Sequence, residues 1–414
     1  VAFLGALFAD LPLARVGFRL WDGSAWPDAK PRAATLVLRG PGSLPAMFAR
    51  GTAMGLAEAY LRDEFDVEGD IEAAVDLAVA LERRPTNWAS RLSAFYRLKR
   101  LPGNARARDG RWFDGARGER HSLARDREAV SFHYDVSNEF YRLWLDERMV
   151  YSCAYFASVD DSIDAAQTAK LDYLCRKLRL KPGQQVLDIG CGWGGLAVFA
   201  AKTFGVRVTG VTLSEQQAAW ATAQVRVNGL ADRVAIERRD YRELAAAKKF
   251  DAIVSVGMAE HVGRERLPEY FGKAWELLRP GGVFLNHAIG EGRTATRFRG
   301  PSFVDAYVFP DADIVPLPLV LEAAGGAGFE VRDVENLRGH YTLTLRCWVR
   351  RLEAAHERAR AFVNEPAYRV WRLYLAGSAH GFACGDLAIF QTLLAKPEAD
   401  GRAGVPLRRE DWYR

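Results

Sequence analysis

The sequence predicts an α/β fold with a mostly parallel sheet, helices on both faces, and a small α+β unit ahead of it. Three observations lead there. From about residue 165, apolar strand-like runs alternate with helical stretches, the pattern of a parallel sheet. A glycine-rich loop follows the first of these runs and opens a helix. The chain has 414 residues, well beyond a typical domain of ~150, so a second unit is expected.

In the first ninety residues, Val16–Trp21 and Ala34–Leu38 run apolar between Gly, Pro and Asp and read as strands. Gly55–Leu61 and Ile71–Leu81 have helical spacing, and Asp70 suits the N-cap of the second. This gives an N-terminal α+β domain over 1–95, a basic linker over 96–130 and a catalytic domain over 131–414. Within residues 97–127, ten Lys/Arg face four acids, a local +6 against a whole-chain net charge of +5. A solvated linker explains that run. So does contact with anionic lipid headgroups, at about 1 kcal/mol per basic residue, with Leu101, Trp112 and Phe113 interleaved.

Composition narrows the function classes. At 49% hydrophobic and 26% charged residues, the chain is globular rather than disordered. The modest net charge argues against a nucleic-acid partner. Five cysteines (153, 175, 191, 347, 384) form no CxxC pair, so neither a disulfide framework nor a zinc ribbon is expected and a reducing cytoplasm fits. No histidine or cysteine pair has ligand spacing, so no metal is expected. No run is long enough to span a bilayer, and no secretory leader is read.

The later strands are Val186–Ile189, Val206–Val211, Val234–Glu237, Ala252–Val256 and Val283–His287. Gly190, Gly192 and Gly195 have GxGxxG spacing, which by itself admits a nicotinamide cofactor. Against a dinucleotide stand Asp188 before the first glycine and Thr212 and Leu213 where a ribose-binding acid belongs. Leu277–Leu285 then adds a Pro-Gly-Gly turn leading into a late strand. Asp-x-Gly-x-Gly with that turn resembles the class I S-adenosylmethionine-dependent methyltransferases, whose sheet is Rossmann-like.

Further motifs narrow the resemblance: His133–Tyr141, Met149–Phe156, Val211–Gln217, Gly257–Val262, Asn286–Gly290, Tyr307–Pro310, His340–Leu345 and Phe382–Cys384. In this order they resemble the cyclopropane-fatty-acyl-phospholipid synthase family, which includes the mycolic acid cyclopropane synthases. The match covers about residues 125–395. Gly55–Tyr60 and Phe65–Asp70 are similar to the extra N-terminal domain of its phospholipid-acting branch.

The resemblance implies methylene transfer from S-adenosylmethionine to a cis double bond of a phospholipid acyl chain. Such an alkene is a weak nucleophile, and its attack on a sulfonium methyl leaves a carbocation. The site therefore needs a dry pocket, electron-rich neighbours and a base. By resemblance, Cys153, Glu260, His287, Tyr341 and Cys384 form a polar cage for bicarbonate as that base. Tyr151, Ser152, Asp188, Gly190, Gly192, Thr212, Leu213, Gln217, Asp240 and Tyr241 line the cofactor site. His133 and Tyr141 resemble residues near a lipid-headgroup entrance, with local helix packing as the competing reading. Cys175 and Cys347 read as small buried hydrophobes, and His261 as a satisfied strand-end histidine. Glu291–Leu321 is placed as a substrate cover.

The expected setting is a cytoplasmic homodimer, peripheral on the inner membrane, with unsaturated phospholipid and an anionic membrane surface as partners. Three other readings stay open. Loss of a different proton after methylation gives a methyl- or methylene-branched chain. A nicotinamide oxidoreductase and a non-catalytic lipid carrier are the others.

Overall fold

The computed structural model describes residues 2–8, 13–48, 53–83, 96, 98, 101, 125, 137–247, 249–293, 303–309 and 312–413. They fall into two compact units. The first takes the described residues up to 101 together with 303–308 and 363–380; the second takes the rest. Of the basic linker over 96–130, only Tyr96, Leu98, Leu101 and Arg125 are among the described residues. No described helix is long and apolar enough to cross a membrane.

The first unit holds a four-stranded sheet in the order β2-β1-β3-β4. Its strands are β1 (Val16–Arg19), β2 (Ala25–Trp26), β3 (Ala34–Leu38) and β4 (Phe65–Gly69). The strands β1 and β3 and the helices Ala53–Leu61 and Ile71–Arg83 were legible in the sequence. Asp70 Oδ1 accepts from Glu72 N–H at 3.0 Å, as an N-cap does.

Residues 363–380 pack with this unit rather than with the 131–414 segment to which the sequence reading assigned them. The cause is Arg369 on the helix Glu365–Cys384. Its buried guanidinium donates to Tyr60 O (2.9 Å), Phe65 O (3.3 Å), Asp63 (2.8 Å) and Asp66 (3.2 Å). Arg369→Met strands the buried carbonyls of Tyr60 and Phe65 and removes a partner from Asp63 and Asp66. A loss of about 3 kcal/mol is expected on urea unfolding; a loss below about 1 kcal/mol would mean that water replaces the guanidinium freely.

The second unit is built on a seven-stranded sheet in the order β10-β11-β9-β8-β5-β6-β7. Its parallel strands are β5 (Gln185–Ile189), β6 (Arg207–Thr212), β7 (Val234–Arg238), β8 (Phe250–Val256) and β9 (Leu278–Glu291). The chain moves outward from β5 to β7, then crosses back to β8 and β9. That reversal makes a crevice at the carboxyl ends of β5 and β8, where open α/β sheets bind ligands. One face carries Leu187, Ile253, Phe284 and Leu394 against the helices Leu267–Leu277 and Leu317–Gly326. The other carries Val186, Val254, Leu285 and Leu393 against Ile163–Lys177 and Gly195–Phe204.

Two expectations needed correction. The strands β10 (Glu330–Asn336) and β11 (Leu387–Ala395) were not foreseen, and both run antiparallel. Pairing with β11 extends β9 to Glu291, so His287 lies inside the strand and not at its end. The Pro-Gly-Gly segment is also no free turn. It forms a bulge at the start of β9, where Leu278 and Val283 pair with Phe250 and Ala252.

Candidate active site

The loop after β5 is shaped by its glycines. Gly190 and Gly192 have φ of +79° and +54°, a region that side chains with a Cβ rarely adopt. The N–H groups of Gly190 and Cys191 both bond to Val211 O at 3.0 Å, fixing the loop to β6. A Cβ at Gly195 would lie 2.8 Å from Arg148 O, so the third glycine serves close packing.

Beneath the loop are two buried charges. Asp188 Oδ2 has no hydrogen-bond partner among the described residues, and burial lifts its carboxyl to about 7 against the pull of Lys170. Lys170 Nζ donates to Ser152 Oγ at 2.9 Å; burial lowers this amine to about 8 despite Asp146. Gln167 Nε2, one turn earlier, donates to Val150 O (3.2 Å) and Ser152 O (2.8 Å). The helix Ile163–Lys177, capped by Ser162, thus holds the Tyr151–Ser152 segment at the loop. Gln167 and Lys170 were missed in the sequence. Their signal was two polar residues set on the buried stripe of Ile163, Ala166, Leu171 and Leu174.

The far side of the cleft comes from the ends of β6 and β7. Thr212 Oγ1 donates to Gln217 Oε1 at 2.7 Å, and Ser214 caps the helix Glu215–Val227. Asp240 is held on both oxygens by Arg242 and caps a short helical turn begun by Tyr241. All ten residues assigned to the cofactor line this one cleft. His261 lines it too, with its ring 5.5 Å from that of Phe309, and so is no strand-end histidine packed away from the site.

The cleft reaches the segment Val256–Val262, behind which Glu260 is buried. The strand β8 ends at Val256, beside His287 of β9, leaving the next β9 amide on that side without a strand partner. Glu260 Oε1 takes it, accepting from Ile289 N–H at 2.6 Å. Glu260 Oε2 has no hydrogen-bond partner among the described residues, and burial raises the carboxyl to about 7. His287 is fully buried on the same strand. Burial, with Lys170 and Lys177 nearby, pushes its imidazole well below the ordinary value.

The other expected cage residues lie on separate segments of the second unit. Cys153 is fully buried with Sγ directed at Ala154 O (3.3 Å) and Leu337 O (3.8 Å). Burial raises its thiol above the ordinary range, which suits neither a thiolate nor a nucleophile. Leu337 in turn bonds to Ile389 O of β11. Tyr341 is buried, its ring 4.6 Å from Phe382 and 6.1 Å from Trp348. Tyr151 lies 5.3 Å from the same Trp348. One aromatic wall therefore runs from the cofactor cleft to Tyr341. Cys384 differs: it is exposed, with Sγ 3.2 Å from Asp386 Oδ2.

Tyr141 is fully buried, its ring 4.8 Å from Trp193 and 5.7 Å from Tyr151. It supports the loop from beneath and presents no surface to a headgroup. His133 lies outside the described residues. Cys175 is buried as expected, whereas Cys347 is only half-buried, with Arg350 donating to its sulfur at 3.1 Å. Of the expected cover, 294–302 and 310–311 lie outside the described residues. Asp313 N–H bonds to Glu260 O (3.0 Å), and Val315 bridges to Gly290.

The cleft suits a cofactor carrying an amino acid and a sulfonium. Asp188 Oδ2, buried and without a hydrogen-bond partner among the described residues, suits an ammonium, Gly192 leaves open space where a side chain would stand, and Tyr151 adds an aromatic ring to the lining, which suits a cation. The sequence profile described as mycolic acid cyclopropane synthetase matches residues 121–392. The chain belongs to that family. Among relatives of the mycolic acid cyclopropane synthetase family, a "Probable fatty acid methyltransferase" of Pseudomonas putida is 40% identical over 400 residues, covering 96% of this chain and 95% of its own. The cyclopropane-fatty-acyl-phospholipid synthase of Escherichia coli (strain K12) is 39% identical over 271 residues, 65% of this chain and 68% of its own. The crystal structure of mycolic acid cyclopropane synthase CmaA1 with SAH and CTAB superposes with a TM-score of 0.61 at 33% identity. It covers 65% of this chain and 97% of that one. The protein is thus a lipid-modifying methyltransferase dependent on S-adenosylmethionine, with the class I fold.

Proposed function

We propose that the protein transfers a methylene group to the cis double bond of an unsaturated phospholipid acyl chain and closes a cyclopropane ring. The observation that carries this reading is Glu260: a buried carboxyl with one oxygen anchored on Ile289 N–H, two residues along β9 from His287, and the other without a hydrogen-bond partner among the described residues. S-adenosylmethionine supplies an electrophilic methyl there. The protein's own residues then serve the cation left on the acyl chain. The aromatic wall of Tyr151, Trp348, Tyr341 and Phe382 gives it electron-rich neighbours and excludes water. Cys153, Glu260, His287 and Tyr341 are the groups that would hold bicarbonate, which would supply the base. The +6 charge of residues 97–127 supports recruitment to an anionic bilayer.

A second reading is methyl or methylene branching of a fatty acyl chain. Two observations favour it: the Pseudomonas putida relative aligns over nearly the whole chain, and Cys384 stands exposed on Asp386. Incubation with S-adenosylmethionine and vesicles of cis-monounsaturated phospholipid, followed by proton NMR of the extracted lipid, separates the two. Upfield ring protons with loss of the olefin signal are expected. Branched-methyl or exocyclic-olefin signals would overturn ring closure and keep the methyl transfer.

A further inference from the structure

The contact between His287 and Gln391 has no part in the proposed function. They face each other across β9 and β11 as register partners, and both are fully buried. Gln391 Nε2 lies 3.2 Å from His287 Nδ1. The ring's other nitrogen, Nε2, has no partner among the described residues. A buried imidazole with one nitrogen tied to a neighbouring strand and the other unpaired is held for a ligand.

We infer that Gln391 is a positioning residue: its amide N–H, donating to Nδ1, keeps His287 neutral with the proton on Nε2. The inference rests on the proposed chamber, in which His287 meets the bound anion. In that chamber His287 is a fixed hydrogen-bond donor and does not collect the proton released from the product.

The chemistry on both sides of the ring supports this. Lys170 and Lys177, both fully buried on the helix Ile163–Lys177, oppose a second proton on the imidazole. The ring therefore carries one proton, and the amide decides where. Turning the amide over would put its oxygen on Nδ1–H and leave Nε2 as a bare lone pair. The unpaired oxygen of Glu260 belongs to the same proposed chamber, and an anion is proposed to join it. A second acceptor there would add to the repulsion, whereas an Nε2–H relieves it. A hydroxyl or carboxylate partner, more usual beside a histidine, would either leave the proton position open or move it to Nδ1. A buried glutamine donates without adding charge.

Long-range proton–nitrogen NMR of the full chain labelled with ¹⁵N-histidine tests this, with the His287 signals assigned by their loss in His287→Gln. The wild type is expected to show a protonated Nε2 and an Nδ1 that only accepts. Gln391→Glu should move the proton to Nδ1 and lower kcat about 100-fold at unchanged affinity for S-adenosylmethionine. Gln391→Met, close in volume and apolar, should give a mixture of tautomers and about a tenfold loss. Its folding is checked by the same binding measurement. A protonated Nδ1 in the wild type, or no tautomer change in Gln391→Glu, would overturn the inference whatever the activity. Undiminished turnover by His287→Gln would instead overturn the chamber assignment beneath it.

Discussion

Glu260→Gln is expected to lower turnover about a thousandfold while leaving cofactor affinity unchanged and making the folded chain more stable at pH 8. The glutamine keeps an oxygen for Ile289 N–H, so the loop after β8 stays anchored. What is lost is the acidic oxygen proposed to face the reacting centre, and proton-handling groups are worth about 10²–10⁴ in rate. The stability gain follows from linkage. Burial raises the folded carboxyl from 4.5 to about 7. The folded chain therefore holds this proton more tightly than the unfolded chain does. Wild-type stability falls as pH rises from about 4.5 to about 7, then stays level, at a total cost of about 3 kcal/mol. The glutamine variant escapes that cost. The gap between the two proteins should be widest at pH 8 and close toward pH 4.5, as guanidinium unfolding at several pH values would show. A gap independent of pH would mean that Glu260 is solvated and carries its charge freely. A fall in cofactor affinity would move its role from the reacting centre to the binding cleft.

The sequence was most legible where backbone and chemistry demand the same residue. The loop from Asp188 to Gly195 needs positive φ at Gly190 and Gly192 and close packing at Gly195, so its place between strand and helix is written in glycines. Of the ten residues expected at the cofactor, all but Tyr151 and Ser152 lie at the ends of strands marked by apolar runs or follow closely on them, and all ten line one cleft. What stayed hidden was long-range pairing. The strand β10 reads Glu-Val-Arg-Asp-Val-Glu-Asn, and its polar residues mask the alternation. Without β11 there was no means of seeing that β9 runs past His287, or that Gln391 lies opposite it. The strand β4 was hidden likewise, because its two acids break the apolar run. Tyr141 was placed at an entrance by resemblance, but its partners Trp193 and Tyr151 come from separate segments that only the fold brings together. Arg369 shows the same limit. Sequence order put it in the catalytic domain, while its hydrogen bonds tie it to residues about three hundred positions earlier.

Lys170→Met is the second variant with a large expected effect, and it separates binding from chemistry. Lys170 has two tasks in the wild type. Its ammonium donates to Ser152 Oγ, holding one wall of the cofactor cleft, and it is the positive charge that favours ionised Asp188. Methionine fills similar space but performs neither task. Asp188 then rises further above its value of about 7 and stays protonated at neutral pH, where it no longer attracts an ammonium. A hydrogen bond from a charged donor contributes about 1.5–3 kcal/mol, so the Kd for S-adenosylmethionine should rise about ten- to a hundredfold. At saturating cofactor, kcat should change by less than about threefold, since Glu260 and His287 keep their partners. The pH dependence identifies the group. Lys170 loses its proton as pH rises through about 8, so the wild type sheds the same charge there and the gap in affinity should narrow above that pH. Calorimetric titration at pH 6.5, 7.5 and 9 measures it. A constant gap across that range would mean that Lys170 acts through packing alone, and a large fall in kcat at full cofactor occupancy would place it in the reaction itself.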